Sequence, residues 1–396
     1  MVSGEAEVAA KSSYSPRGAF GADWLAAPSR FVAWSRPFAL FALLLIAVVE
    51  LTGLMTPPVP MRAGLAAQAS AASATSPGLD DRDPDLVLYH RIIEGIRDGG
   101  DYYSVVAREL RAGGYPVRPF VAFREPLLAE LLAHVSPAAG LLLLRALIAA
   151  TILAWALRLR AATGSGPARA IACLLFAGGV ALYGQEEYAV VHEVWAGALI
   201  ALSLALRDER RWLAAAIAGL LAMLVRELAL PFVVVMASAA LYERKWREAA
   251  GWAATIGVFA IAIGLHAAAA SAAASPADIA SPGWSRFGGW RFFLTATWLT
   301  GPLRTAPYLV QAALAPLALV GWAGWRAQIA GRAFATLVAY AAMLMAFGRP
   351  DNFYWALMFT PLLMVGLTFA PRSLGELVAA LRRAHDAPQP SPAIVD

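Results

Sequence analysis

The sequence predicts an all-α membrane protein, a polytopic helical bundle of about ten spans with a large helical first outer loop. Hydrophobic residues make up 60% of the 396 residues and charged residues only 15%, which is too apolar for a soluble chain of this length. Apolar stretches recur along the chain at lengths close to the ~20 residues that cross a bilayer. Arginines follow every second apolar stretch. Short loops that are rich in arginine and lysine stay on the cytoplasmic side of the membrane.

Composition also excludes several kinds of site. The single cysteine, Cys173, excludes a disulfide framework and any cysteine-based metal site. His90 and His134 have no companion at metal-ligand spacing, which argues against zinc. No run of basic residues is interleaved with aromatic ones, so a nucleic-acid partner has no support. We therefore expect neither a metal site nor a nucleic-acid partner.

The predicted organisation has three parts. Residues 1–36 form a cytoplasmic leader, residues 37–370 form the membrane domain with its first outer loop at 56–136, and residues 371–396 form a cytoplasmic tail. The predicted spans are Pro37–Met55, Pro137–Leu157, Ala170–Tyr183, Val190–Leu206, two short spans within Trp212–Tyr242, then Gly251–Ala270, Ala306–Trp325, Ala333–Phe347 and Phe353–Phe369.

Trp212–Tyr242 is divided in two because Arg226, Glu227 and Pro231 interrupt it. Two spans place the basic residues 244–247 on the cytoplasmic side, whereas one span would export them against the positive-inside bias. Short helices are tolerated in a membrane where they are buried in protein. Residues 271–303 form a second outer segment whose aromatic density is typical of an interfacial belt.

With ten spans and both termini in the cytoplasm, nearly all the polar groups of interest belong to the outer side. Charged groups inside a span cost about 2.5–3.5 kcal/mol on insertion scales, so they tend to be paired or functional. The sequence therefore predicts a site at the outer membrane interface. The outer polar groups are Asp80–Pro126, Glu186, Glu187, His192, Glu193, Arg226, Glu227, His266, Arg349, Asp351 and Asn352.

The first outer loop begins with a helix signal, in which Asp83 is the cap and Pro84 the first helical residue. Apolar residues then recur at three- and four-residue spacing until Gly99 and Gly100 end the helix. Asp85 and Tyr89 lie one turn apart on one face. Two interpretations of Asp85 stay open on spacing alone: it complements the helix dipole, or it contributes to a site.

Two arginines also have alternative interpretations. Arg226 and Arg349 lie where a phosphate could be held, and a guanidinium group suits phosphate well. Alternatively, Arg226 is an ion-pair partner of Glu193 and Arg349 is one of Asp351.

Short motifs follow one another at the outer ends. In chain order they are Asp85 with Tyr89, Gly100-Asp101-Tyr102-Tyr103, Arg124-Glu125-Pro126-Leu127-Leu128, His192-Glu193 with Trp195-Ala196-Gly197, Arg226-Glu227 with Pro231, and Arg349 with Asn352-Phe353-Tyr354-Trp355 before Pro361. Together they resemble the polytopic C-type (GT-C) glycosyltransferases that use polyprenyl-phosphate sugars, over most of residues 37–370.

The resemblance implies a hexosyl or pentosyl transferase of the cell inner membrane whose active site faces the periplasm. Its partners are a polyprenyl-phosphate-linked sugar donor, a lipid or glycan acceptor and membrane lipids, with no metal or cofactor. Asp85 is the implied general base, with Asp80 or Asp81 as its substitute. The implied substrate-binding residues are Tyr89, Tyr102, Arg124, His192, Glu193, Arg226, Glu227, Arg349, Asn352 and Tyr354.

Two other classes of protein compete with this interpretation. A transporter or flippase of lipid-linked sugars usually shows internal repeats with matching broken helices and polar groups near the midplane. The sequence shows no such repeat, and its polar residues gather at one end. A scaffolding subunit would not require carboxylates and arginines on one face.

Overall fold

The computed structural model describes residues 29–60, 84–164, 166–283 and 286–383, and within them the chain is helical. Strand pairing in these ranges is limited to one isolated bridge between Arg118 and Ala280. The α-helices are α1 Arg36–Met55, α2 Pro84–Arg97, α3 Tyr102–Ala112, α4 Pro126–Ala133, α5 Pro137–Ala162, α6 Gly166–Ala181, α7 His192–Leu206, α8 Leu213–Val225, α9 Leu230–Tyr242, α10 Trp246–Ala273, α11 Gly289–Thr300, α12 Tyr308–Gly324, α13 Gln328–Phe347, α14 Thr360–Leu363 and α15 Ala370–Arg383.

The prediction of a helical membrane protein is confirmed. Five helical segments are long and apolar enough to cross a bilayer, and a sixth is added if the pair bent by 53° at the C-terminal end is one span. The count of ten spans stays a prediction, because the other apolar helices are shorter. The five segments are Arg36–Met55, Pro137–Arg160, Gly166–Gly184, Trp246–Ala273 and Gln328–Phe347.

The interruption predicted at Arg226 is present. Helix α8 ends at Val225, a 3₁₀ turn covers Glu227–Ala229, and α9 begins at Leu230 with Pro231 in its first turn. Proline fits there because the first turn of a helix has no intrahelical use for its N–H. The break delivers two charged side chains to the outer end of two apolar helices.

Helix α7 lies at the centre of the bundle. It is apolar over most of its length, and nearly all its residues are buried, including the two charged or polar residues that open it. A helix that is hydrophobic all round is expected in such a position. Gly197 lets the backbone of Leu357 and Met358 approach closely, since a Cβ there would lie 2.7 Å from the Leu357 carbonyl oxygen.

The tenth predicted span is not a regular helix. Residues 350–369 combine two 3₁₀ stretches, Pro350–Met358 and Met364–Thr368, with the short α14 between them. This segment is almost wholly buried, which explains how irregular backbone is tolerated at membrane depth. Its packing against α7 and α11 holds the residues near 350 beside the opening of α7.

Helix α11 corrects the expectation of an interfacial aromatic belt for two of its residues. Phe292 and Phe293 are buried inside the bundle, and Phe293 stacks on Phe359 with ring centroids 6.0 Å apart. Trp290 and Trp298 are half-buried, and Phe287 is exposed. Sequence density alone does not distinguish a membrane-interface ring from a packed one, because both environments favour aromatic side chains.

Helices α2, α3 and α4 lie in the predicted first outer loop, and we call the end of the bundle that carries them the outer end. The predicted stop of α2 is confirmed, because the helix ends at Arg97 before Gly99, whose φ is 91°. Pro84 is the first described residue of α2, and the predicted cap, Asp83, lies outside the described residues. Its apolar stripe packs on α3 and α4. The loop is fastened to the second outer segment by Arg111, which donates to both carboxylate oxygens of Asp278 at 2.8 and 2.7 Å.

The loops predicted to be cytoplasmic meet at the opposite end. Arg207 pairs with Glu248 at 2.8 Å, and Arg332 lies 3.3 Å from Glu243 and 3.4 Å from Glu248. We call these four residues, with Lys245 and Glu209, the inner network. The C-terminal helix joins the same end, where Glu376 accepts from the Ser29 backbone N–H at 2.8 Å.

Candidate functional site

One cavity of about 1480 Å³ opens at the end of the bundle opposite the inner network. Its walls come from α2, α4, the 3₁₀ turn Glu186–Val190, the start of α7 and the segment 349–357. These elements lie far apart in sequence, and the packing of the central α7 brings them together.

Helix α2 presents Asp85 and Tyr89 to this cavity, as their spacing predicted. Asp85 accepts a hydrogen bond from the Tyr115 hydroxyl at 2.9 Å. This hydrogen bond fixes the orientation of the Asp85 carboxylate. Asp85 lies in the first turn of α2, where a carboxylate complements the helix dipole, and it also lines the cavity.

Arg124 is the cation at the centre of the site. Its guanidinium group donates to the Tyr354 hydroxyl at 3.1 Å and to the Tyr89 hydroxyl at 3.4 Å. Among the described residues it forms no ion pair with a carboxylate, although Glu193 lies within electrostatic range. Loss of solvent opposes its charge, but Tyr89, Tyr354 and Glu193 outweigh that effect and hold the pKa of Arg124 well above its ordinary value.

The tyrosines around Arg124 are neutral phenols, and Tyr89 and Tyr354 accept hydrogen bonds from its guanidinium group. Burial raises the pKa of Tyr89 above its ordinary value, and burial with the nearby Glu125 does the same for Tyr102. The Tyr102 hydroxyl donates to the Arg124 carbonyl oxygen at 2.5 Å and so fixes the backbone that carries the arginine.

Two carboxyl groups lie behind Arg124. Those of Glu125 and Glu227 are within hydrogen-bonding reach of each other. Burial and then the neighbouring Glu227 raise the pKa of Glu125 well above its ordinary value, because loss of solvent and a nearby carboxylate both disfavour the charged form.

Arg226 is enclosed rather than available. It is 1% exposed, donates to Glu193 at 2.6 Å and also bonds Glu227. It does not line the cavity. Of the two interpretations of this residue, the structure shows the ion pair, which neutralises the charge and ties α7 to the break before α9.

Arg349 lines the cavity, but it also has a carboxylate partner. Its guanidinium group bonds Asp351 and donates to the Pro282 carbonyl oxygen at 3.2 Å. Asp351 lines the cavity as well. The ion pair predicted as the alternative for this arginine is therefore present, and it also connects the segment near 350 to the second outer segment.

Two residues of the cavity wall carry unsatisfied polar atoms. Both ring nitrogens of His192 and the Nδ2 atom of Asn352 are buried without a hydrogen bond to any described residue. The rest of the His192 ring is covered by Tyr89, whose ring centroid lies 5.5 Å away. Buried polar atoms are normally satisfied, so these exceptions call for an explanation.

Most of the predicted site residues meet at this cavity. Arg226 and Glu227 lie behind its wall, and Asp80 and Asp81 lie outside the described residues. The residues that line it are Asp85, Tyr89, Tyr102, Arg124, His192, Glu193, Arg349, Asn352 and Tyr354. Tyr115 and Glu125 were not predicted as site residues. No spacing pattern in the sequence points to Tyr115. Glu125 directly follows Arg124, and this adjacency was the available signal for it.

Within the described residues, no group of three or more metal-ligating side chains could hold a metal ion. No family model, curated protein or solved structure matches the chain. Function must therefore be argued from the geometry of the cavity.

Proposed function

We propose that this protein is a membrane glycosyltransferase that moves a sugar from polyprenyl phosphate to a hydroxyl group of a lipid or glycan acceptor. The acceptor oxygen attacks the anomeric carbon, the bond from that carbon to the phosphate oxygen breaks, and polyprenyl phosphate leaves as an anion. Asp85 takes the proton of the acceptor hydroxyl as the new bond forms. A carboxylate within hydrogen-bonding reach of a hydroxyl can supply this catalysis.

The observation that carries the proposal is that one cavity contains both a carboxylate that can accept a proton and an arginine that can bind a phosphate. Asp85 offers a proton acceptor, and Arg124 offers a cation that pairs with no carboxylate among the described residues. A leaving phosphate needs such a cation, because fixed donors stabilise developing charge best where water is scarce. Tyr89 and Tyr354 hold the guanidinium group with neutral oxygens, so its charge is left for the ligand.

Arg124 therefore replaces Arg226 as the proposed phosphate-binding residue. Arg226 is already neutralised by Glu193 and Glu227 and lies behind the wall. Arg349 shares its charge with Asp351. We keep Arg349 as a second, weaker contact because it lines the cavity.

The cavity also suits a lipid carrier. One side of it is lined by aliphatic residues from α2, α4 and the turn before α7, which would accept the first isoprene units of the donor. Burying such groups is favourable by about 0.8 kcal/mol per methylene. The aliphatic residues are Leu88, Ile92, Ile93, Leu128, Leu132 and Val190.

We further propose that the cavity opens on the outer face of a bacterial-type inner membrane and that the bundle crosses it ten times. The basic loops that favour the cytoplasmic side meet in the inner network, at the other end of the bundle. The shorter helices α7, α8, α9 and α12 then cross as buried or broken spans, which membranes tolerate inside protein.

Substitution of Asp85 tests the proposal. Asp85→Asn keeps the shape and the contact with Tyr115 but removes the base, so we expect sugar transfer in membranes supplied with polyprenyl-phosphate sugars to fall by about 10²–10⁴-fold. Asp98→Asn is the matched control, because Asp98 is exposed at the end of α2 and does not line the cavity.

Full transfer activity in the Asp85→Asn variant would move the base elsewhere. Wild-type protein that moves lipid-linked sugars across vesicle membranes without forming a new glycosidic bond would instead identify the transporter class.

A further inference from the structure

Two histidines of this protein are equally buried but differ in their hydrogen bonding. His192 and His266 are each 4% exposed. His266 contacts the Tyr103 hydroxyl through Nδ1 at 3.2 Å and the Phe123 carbonyl oxygen through Nε2 at 3.3 Å. Within the part of the chain that the structure describes, neither ring nitrogen of His192 has a hydrogen-bond partner. His266 therefore fastens the outer loop to α10, while the position of His192 is unexplained by packing.

Asn352 shows the same feature on a facing wall. It is 3% exposed, lines the cavity, and leaves Nδ2 without a partner. The segment that carries it packs against α7, which carries His192. Two independent elements thus bring unsatisfied polar atoms to one cavity, and burial without a partner is unfavourable for both.

The chemistry of these groups selects a neutral, hydroxylated ligand. A neutral imidazole has one N–H donor and one acceptor nitrogen, which matches a hydroxyl group that both donates and accepts. The amide nitrogen of Asn352 adds a donor. An isoprenoid chain would leave all these atoms unsatisfied, and an anion is better served by the neighbouring Arg124.

We propose that His192 and Asn352 bind hydroxyl groups of the transferred sugar, an inference that rests on the function proposed above. Tyr89 connects this sugar subsite to the phosphate site. Its ring covers His192, and its hydroxyl accepts from Arg124. A phosphate that takes the Arg124 donors releases Tyr89, and a shift of the ring then uncovers the imidazole for the sugar.

The test compares two lipid probes on the full-length protein in nanodiscs, polyprenyl phosphate alone and the same lipid carrying a hexose. We expect the wild type to prefer the glycosylated lipid. His192→Phe and Asn352→Ala should each reduce that preference about tenfold, as loss of a hydrogen bond predicts. Neither substitution should weaken the binding of polyprenyl phosphate that carries no sugar. Arg124→Gln should reduce the binding affinity for both lipids by the same factor.

His266→Phe is the matched control, since it removes an equally buried histidine that has both its partners; it should leave the preference unchanged. His192→Phe and Asn352→Ala lie on different elements, so misfolding of one variant leaves the other informative. His192→Gln, which keeps a hydrogen-bonding side chain, should restore part of the preference. An unchanged preference in both variants overturns the sugar subsite alone. Wild-type protein that binds neither lipid overturns the proposed function together with it.

Discussion

At the inner end of the bundle, Arg207 and Arg332 are buried against Glu248 and Glu243, whereas at the outer end Arg124 faces a large cavity and pairs with no carboxylate among the described residues. None of the inner residues lines that cavity. The ion pairs of the inner network connect helices, although Nε and Nη1 of Arg332 are buried without a hydrogen bond to a described residue. The outer end differs because its cation and the unsatisfied polar atoms of His192 and Asn352 line a cavity that a ligand can enter.

Breaking the inner network should have the largest effect on stability. Glu248→Ala leaves Arg207 and Arg332 buried without this carboxylate, and we expect the free energy of unfolding to fall by about 3–5 kcal/mol. Denaturation in detergent micelles measures the change. Glu209→Ala is the control, because its carboxylate is 60% exposed and pairs only with Lys245 and Gln328; it should cost no more than about 1 kcal/mol. Equal losses in the two variants would contradict a buried network.

The outer end should respond in activity rather than stability. Arg124→Gln removes the cation from the cavity, and we expect sugar transfer to fall by about 10²–10³-fold with little change in thermal stability. Arg226→Gln should do the reverse, because it leaves Glu193 buried without its partner at a cost of about 3–5 kcal/mol. A stable, fully active Arg124→Gln variant would show that the cation of the site is another residue.

The smallest effect is expected where the outer loop is fastened. Hydrogen bonds from Arg111 and from the Ser275 backbone N–H lower the pKa of Asp278 to about 2. Because this value lies below the ordinary value of about 4, the contact contributes fully above pH ~4 and is lost as the pH falls toward 2.

Hydrogen-exchange protection of the Val117 and Ser281 amides reports this contact, since both bond across the two outer segments at 2.9 and 2.6 Å. Protection should persist to about pH 4 and fall below it in the wild type. In Asp278→Asn it should be lower at neutral pH and independent of pH over the same range. Identical profiles for the two proteins would show that Asp278 does not fasten the loop.

Local signals in the sequence predicted much of the helical fold. The glycines at 99–100 mark the end of α2, and the charged pair before Pro231 marks the break between α8 and α9. Each of these signals acts within a few residues, so it is readable without tertiary contacts. Positive-inside counting likewise assigned the polar residues that line the cavity to one end.

What the sequence could not predict depends on partners distant along the chain. For Arg226 the sequence left phosphate binding and an ion pair with Glu193 both open, and the contact with Glu193, 33 residues away, shows the ion pair. Tyr115 reaches Asp85 across 30 residues, and no spacing pattern in the sequence predicts this contact. Phe293 of α11 was expected at the membrane surface, but it stacks on Phe359 inside the bundle.

The most direct test of this account is a cryo-EM structure of the protein in nanodiscs with polyprenyl phosphate bound. We expect the phosphate within hydrogen-bonding distance of the Arg124 guanidinium group, Tyr89 displaced from it, and the prenyl chain along the aliphatic side of the cavity. A phosphate held by Arg207 or Arg332 at the opposite end, or a cavity left empty at saturating lipid, would contradict the proposed site.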